Sequence, residues 1–483
     1  MLNKPAIRLA AFYAVSVMFI LLNVWFMVKR DSLILNLLPL ALILVLLAIF
    51  SVDRILQLVV FLTPLSLPLS EVTTGLSFDM FLPTEPLLFG VLLLFMMRVS
   101  ADRGFDKKIL GHPVSWAIWF YLFWIFATSL TSTMPVVSMK FLLVRIWFIV
   151  GFYLLGIKLF ENNRNISKFV WLYVASLLIV IAYTITRHSE FGLLNKKAAH
   201  WVMTPFFNDH TSYGAVLAMF IPFLTFFSFS KYVPEKGKWI SRLVLLVLFV
   251  AFILSYTRAA WLSLMVAIGV WVLIRLHIRF KAMMISLVSV VAFAFIFQQQ
   301  IVGYLEKNKD ESSSNLIEHF SSMSNITSDA SNLERLNRWG AALRMFEERP
   351  VFGFGPGTYM FKYAPYQLSK DRTIISTNMG DMGNAHSEYF GPLAESGLMG
   401  MLTFIFLAIV VLFTAITTYA RLPNGYLKGI VLTAFLGLVT YYVHGFMNNF
   451  LDTDKAAVPF WGFTAMIVMI DIYSRSQNPV LPK

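Results

Sequence analysis

Four side chains in this sequence have types and settings suited to holding a polyanion and moving a proton. They are Arg258 in SYTRAAWLSL, Arg335 and Arg338 in SNLERLNRWGAALRMFEERP, and His386 in GNAHSEYFGPLAESGLMG. A guanidinium presents a planar fork of donors that matches a phosphate bidentately and stays charged at every relevant pH. An imidazole kept neutral can take a proton from a hydroxyl as a general base. Arg258 stands where two apolar runs meet, a place where a cation needs a partner. A phospholipid headgroup reached by snorkelling and a substrate phosphate both fit. His386 lies where a polar segment gives way to an apolar one; a helix opening there would disfavour imidazolium through the positive end of its dipole. The alternative is a histidine with a purely structural place at the interface.

Other polar residues are set in apolar surroundings. Arg145 falls inside a hydrophobic run, and Glu395 follows His386 by nine positions, roughly 13 Å along a straight helix and too far to orient it. Because an unpaired carboxylate in a membrane span is costly, Glu395 is expected to pair with a buried cation. In HWVMTPFFNDHTSYG, residues Asn208, Asp209, His210 and Tyr213 open a further apolar run. The first two suit helix capping, and the group can also touch sugar hydroxyls. Gly353, Gly355 and Gly357 permit a tight turn; a phosphate-cradling loop would lead straight into a helix, whereas Pro356 and the aromatic stretch Tyr359 to Tyr366 follow. Asp452 and Asp454 form a DTD triplet similar to the metal motif of nucleotide-sugar transferases, read here as a loop. No H-x-x-H, G-x-S-x-G, Walker or redox motif occurs, and there is no cysteine.

The elements that position these residues are membrane helices. Of the 483 residues 58% are hydrophobic and 13% charged, about half the charged share of a soluble domain, which excludes a cytosolic enzyme. Windows of about 20 apolar residues suffice to span a bilayer. Fourteen fit: Leu9–Val28, Leu33–Val52, Ile55–Leu69, Met80–Met97, Val114–Thr131, Phe141–Phe160, Phe169–Thr186, Tyr213–Phe229, Ile240–Tyr256, Ala259–Ile274, Ala282–Phe297, Phe390–Tyr419, Gly429–Met447 and Ala456–Ile472. The third is the weakest, interrupted by Pro64 and Pro68. The expected fold is an all-α polytopic membrane protein with about 14 (12–14) transmembrane helices. Residues 1–300 hold helices one to eleven, 301–389 one large loop on the outer face, and 390–483 the last three. With the N-terminus inside, 21 of the 39 basic residues fall on cytoplasmic segments, so topology accounts for most of the +13 charge and nucleic acid is not implied. The loop divides into a Ser- and Asn-rich part, Glu306 to Asp329, and a helix stopped by Pro350. On that helix Leu336, Trp339, Leu343 and Phe346 share one face, while Arg335, Arg338, Ala342, Met345 and Arg349 share the next. Such a helix can lie on the membrane with its arginines on lipid headgroups or on a lipid-linked anion.

Taken together, these stretches resemble the O-antigen ligase and Wzy-type polymerase family of bacterial envelope glycosyltransferases. The resemblance rests on Arg338, Trp339, Pro350, Gly353, Gly355, His386, Glu395, Gly397 and Gly400, on the T-R-x-A-W stretch at Arg258, and on the F-N stretch at Asn208. It covers about residues 200–400; where family members show S-R-G-A-W and N-P-N, this chain has Thr257, Ala259, Asp209 and His210. The resemblance implies a GT-C-like enzyme of the bacterial inner membrane, its active site facing the periplasm. That enzyme transfers a glycan from an undecaprenyl diphosphate carrier to lipid A core or another glycan acceptor, inverting the anomeric centre without metal or cofactor. Partners are then the lipid-linked donor, the acceptor and membrane lipids. Arg258 and Arg338, with Arg335, would clamp the diphosphate, and His386 would be the base. Asn208, His210, Tyr213, Glu395 and Arg145 would contact substrate. A Wzy-type polymerase of O-antigen or exopolysaccharide and a protein O-oligosaccharide ligase share these residues. A lipid or glycan flippase, from a different class, should show charges inside several helices and internal repeats, and the sequence has little of either.

Overall fold

The computed structural model describes residues 4–30, 34–36, 38–39, 42, 51–72, 80–101, 104–276, 330–369, 372, 376 and 383–477. These residues are overwhelmingly helical and form two compact units, residues 1–58 and 59–483. The first unit holds α1 (Lys4–Arg30), a continuous apolar helix without proline breaks. Helix α2 (Val52–Leu62) runs across the boundary between the units.

The second unit contains α3 (Thr84–Ala101), α4 (Pro113–Leu130), α5 (Pro135–Phe160), α6 (Arg164–Phe191), α7 (His210–Phe229), α8 (Glu235–Leu254), α9 (Arg258–Arg275), α10 (Ala330–Glu348), α11 (Phe390–Arg421), α12 (Tyr426–His444) and α13 (Asp454–Gln477). Together with α1, all of these except α10 are long and apolar enough to span a bilayer, giving eleven such helices among the described residues. This is a multi-pass membrane protein. Eleven of the fourteen sequence windows are thus matched by helices. The windows Leu33–Val52 and Ala282–Phe297, and the segment Glu306 to Asp329, lie wholly or largely outside the described residues.

The Ile55–Leu69 window departs from expectation. Its helix ends at Leu62, because Pro64 cannot continue the hydrogen-bond ladder, and the chain passes through a tight turn at Thr63–Leu65 into an extended pair. In that pair β1 (Leu67–Pro68) runs antiparallel to β2 (Phe81–Leu82), with Leu67 opposite Leu82. Non-helical backbone among membrane helices must have its carbonyls satisfied by protein. Lys455 supplies this: its Nζ donates to the carbonyls of Thr63 (2.7 Å) and Ser66 (2.8 Å). Beside it Asp454 accepts from Ser66 Oγ and Thr84 Oγ1, each at 2.5 Å.

Helices α13 and α7 form the centre, with 89% and 83% of their spans buried. Helix α7 packs on α8, α9 and α12; α13 packs on α5, α11 and α12; and α4 lies along α11. At the far end, buried Asp471 of α13 gathers Thr418 Oγ1 (2.7 Å), Arg421 Nη1 (2.8 Å), Arg475 Nε (2.7 Å) and His112 Nε2 (3.1 Å), tying α11 to α13.

The helix that sets the site is α11. It is broken at Gly397, whose φ of 68° and ψ of −170° are non-helical. Into the break comes the segment after α10. Leu398 N–H donates to Pro350 O (3.0 Å), Phe354 N–H to Ala394 O (3.2 Å) and Gly355 N–H to Glu395 O (2.7 Å). The approach is backbone on backbone, so a Cβ on Gly397 would lie 2.1 Å from Val351 O and one on Gly353 2.3 Å from the carbonyl carbon of Glu395. Gly397→Ala, adding both positive-φ strain and this clash, should cost about 2 kcal/mol or more. The expected outcome is a melting temperature several degrees lower in detergent, read by fluorescence-detected unfolding; unchanged melting would show that the break tolerates a side chain.

Candidate functional site

The site lies where α7, α9 and α11 begin and α12 ends, beneath α10. Helix α10 carries its polar face inward. Glu334, Asn337, Arg338, Ala341, Ala342 and Met345 are buried, whereas Leu336 and Leu343 are exposed. Of the two settings expected for the arginines, a lipid headgroup does not hold for Arg338, which is buried. Its Nε donates to Glu334 Oε1 (2.7 Å), one turn away, its Nη1 to Asn384 O (3.2 Å), and its guanidinium lies 4.6 Å over the Tyr363 ring. The inward face joins Phe354, Tyr359, Tyr363, Ala385 and Ala394 in one apolar cluster, which seats α10 on the start of α11. Arg335, partly exposed, donates from Nε to Met447 O (3.2 Å) after α12.

His386 is four residues before α11 rather than at its first turn. Ser387 Oγ accepts the N–H groups of Tyr389 and Phe390 (3.2 Å each) and so caps the turn that precedes the helix. The His386 backbone is left-handed, φ +49°, and is fixed on both sides: its N–H donates to Asn384 Oδ1 (3.0 Å) and its carbonyl accepts from Trp339 Nε1 (3.4 Å). Trp339 is itself held by Phe390 and Phe446, each with ring centroids 5.2 Å away. Among the described residues no hydrogen bond reaches the imidazole. Burial first, then the guanidiniums of Arg338 and Arg335, push its pKa down to about 4. The ring is therefore neutral at pH 7, by desolvation and neighbouring charge rather than by the helix dipole.

The only other non-glycine residue with positive φ among the described residues is Tyr256 (φ +48°), two before Arg258. Both such residues adjoin groups singled out from sequence. Strain of this kind concentrates where geometry matters more than local stability. The turn it makes is anchored by Thr257 Oγ1, which donates to His210 O (2.7 Å). Arg258 and Arg335 both lie within electrostatic reach of His210, whose ring stacks on His200 at 4.1 Å and 4°. Asp209 caps α7 by accepting from Ser212 N–H (2.8 Å). Thus Arg258, Arg335, Arg338, His210 and His386 come together, with His200 and buried His444 beside them.

Asn208 is exposed at the rim. Tyr213 is not brought to this cluster. It is buried against Phe207 (5.4 Å) in a small cavity lined by Thr184, His188 and Met203 between α6, α7 and α8. Glu395 forms no ion pair among the described residues: its carboxylate accepts the N–H of Tyr359 (2.9 Å) and that of Gly357, and Arg145 acts on it only at longer range. With these bonds, and with the N–H groups of Gly353, Phe354, Gly355 and Thr358 also donated within the protein, the glycine segment is a turn docked on α11. Its amides are spent, so it is no phosphate cradle.

Arg145 reaches Leu451 O (2.5 Å) and Asp452 Oδ1 (2.7 Å), drawing the DTD triplet onto α5. Around it opens a cavity of about 60 Å³ lined by Phe141, Arg145, Tyr359, Asn384, Ala385, Ser387, Glu388, Glu395, Asn449 and Asp452. Glu388 was not singled out from sequence. Burial raises its pKa, partly offset by Arg145, and its Oε1 collects Tyr441 Oη (2.5 Å), Phe450 N–H (2.8 Å) and Leu451 N–H (2.9 Å). Glu334 was also missed, although its i,i+4 spacing to Arg338 is a legible pairing signal. Nothing in the sequence foretells the His200–His210 stack. Among the described residues no group of three or more histidines, cysteines and carboxylates is arranged to hold a metal ion.

Because the cations hold the His386 pKa down, removing one must raise it. In wild type the imidazole should protonate only near pH 4, and Arg335→Met should move that titration toward 6.5. Histidine-selective modification followed across pH by peptide mass spectrometry reads the change; a titration unmoved by Arg335→Met would mean that the guanidinium does not face the ring.

Residues 243–405 match the family model described as O-antigen ligase. That stretch includes Arg258, Arg335, Arg338, His386 and Glu395 and leaves out Arg145, Asn208, His210 and Tyr213. A protein of Haemophilus influenzae, described as uncharacterized, is 22% identical over 220 residues, 45% of this chain. The match spans about half (52%) of that relative's length. Over residues 243–405, the stretch that carries Arg258, Arg335, Arg338 and His386, this chain is similar to the O-antigen ligase family.

Proposed function

We propose that this protein is a membrane glycosyltransferase that moves a glycan from an undecaprenyl diphosphate carrier to an acceptor hydroxyl, such as one on lipid A core, at the periplasmic face of the bacterial inner membrane. The observation that carries the reading is His386: an imidazole without a hydrogen-bond partner among the described residues, kept neutral by burial and two guanidiniums, beside a group of arginines suited to a diphosphate. A diphosphate is already a good leaving group, so the protein needs to supply charge stabilisation and a base.

In this scheme Arg258 and Arg335 hold the diphosphate. Arg338, ion-paired with Glu334, fixes the His386 loop through Asn384 and adds positive field. The acceptor oxygen attacks the anomeric carbon from the face opposite the carrier, and the bond to the phosphate oxygen breaks with its electron pair passing to the diphosphate. The hydroxyl proton goes to His386. Single displacement inverts the anomeric centre. The same cations that keep His386 neutral also attract the donor, so donor binding brings negative charge to the ring and strengthens it as a base at the moment it is required.

Reconstituted protein with a synthetic lipid-diphosphate oligosaccharide and lipid A core tests this. His386→Ala should lower kcat by roughly 10²–10⁴-fold, and Arg258→Ala should raise the donor KM. The acidic limb of the wild-type rate profile should fall near pH 4 in the free enzyme and shift upward in Arg335→Met. Full transfer by His386→Ala would end the base assignment. Polymerisation uses the same residues, and a deletion strain separates the two outcomes: long unligated glycan on the carrier marks a ligase, single repeat units a polymerase.

A further inference from the structure

The cavity around Arg145 is chemically unlike the group formed by Arg258, Arg335 and Arg338. It has one guanidinium against the carboxylates of Glu388, Glu395 and Asp452, and it adds the amides of Asn384 and Asn449 and the rings of Phe141 and Tyr359. A phosphate would find the guanidinium of Arg145 already paired with Asp452. Sugar hydroxyls, which both donate and accept, suit carboxylates and amides set beside aromatic faces.

Hydrogen-bonding capacity is left over in it. Arg145 is 3% exposed, yet its Nε has no partner among the described residues. Asn449 Oδ1 is likewise buried and unpartnered among them. The three hydrogen bonds to Glu388 all end on Oε1, and Asp452 gives Arg145 only Oδ1 while its side chain stays 46% exposed. Asn384, Ala385, Ser387 and Glu388 line the cavity, so the loop that carries His386 forms part of its wall.

We infer that this cavity is the acceptor subsite, taking the terminal sugar ring of the acceptor through Arg145, Glu388, Asn449 and Asp452, while the carrier diphosphate stays on Arg258 and Arg335. The inference rests on the proposed transfer reaction but has its own observable, because sugar binding does not require turnover. Asn449 and Asp452 then set acceptor specificity, and Arg145 positions Asp452.

The test uses the full chain in nanodiscs and, as probe, lipid A core oligosaccharide freed of its acyl chains. Saturation-transfer NMR should show binding to wild type that Asp452→Asn and Asn449→Ala each weaken tenfold or more; in the transfer assay both should raise the acceptor KM by a similar factor with the donor KM within twofold. Two variants are used so that misfolding of one does not decide the matter, with melting temperature as the check. Unchanged oligosaccharide binding in both, or an equal rise in donor KM, overturns the subsite. Binding that the variants weaken, in a protein that transfers nothing, leaves the subsite standing and removes the transferase reading instead.

Discussion

A carboxylate enclosed by apolar helices must have its lone pairs filled, and in this protein Glu395 fills them with backbone amides of the glycine turn rather than with a cation. That choice joins an extramembrane segment to a membrane helix. Once Tyr359 and Gly357 are bound to Glu395, the turn lies in the break at Gly397, α10 is drawn onto the start of α11, and Arg338 and Trp339 arrive on the two sides of the His386 loop. The geometry of the site follows from an interaction that takes no part in chemistry.

Charge is then sorted into two layers. Cations from α9 and α10 gather with the histidines, while carboxylates from α11 and the loop after α12 gather around Arg145. In a low dielectric the difference in charge between the two groups favours an anion at the first. The segment 384–388 joins them: the Asn384 carbonyl accepts from Arg338, and Ala385, Ser387 and Glu388 line the cavity at Arg145.

Hydropathy alone revealed eleven of the spans, since a run of about 20 apolar residues has few other fates. It misjudged Ile55–Leu69, where two prolines turn a helix into an extended pair supported by Lys455. The two faces of α10 were legible, but the burial of the polar one was not, because it depends on Glu334 and Arg338 neutralising each other inside while Leu336 and Leu343 stay exposed. Arg258, Arg335, Arg338 and His386 were legible because charged and titratable groups are conspicuous in apolar sequence. The partner of Glu395 was not, because an amide has no side-chain signature, and neither was the Arg145–Asp452 pair, whose members are 307 positions apart.

The left-handed backbone at His386 lets the loop be separated from its side chain. An L-residue with a Cβ costs of order 1 kcal/mol in that conformation, and glycine costs almost nothing. A His386→Gly protein would therefore lose the imidazole while relieving the backbone that carries it, so whatever changes in it is owed to the ring and not to the course of the chain.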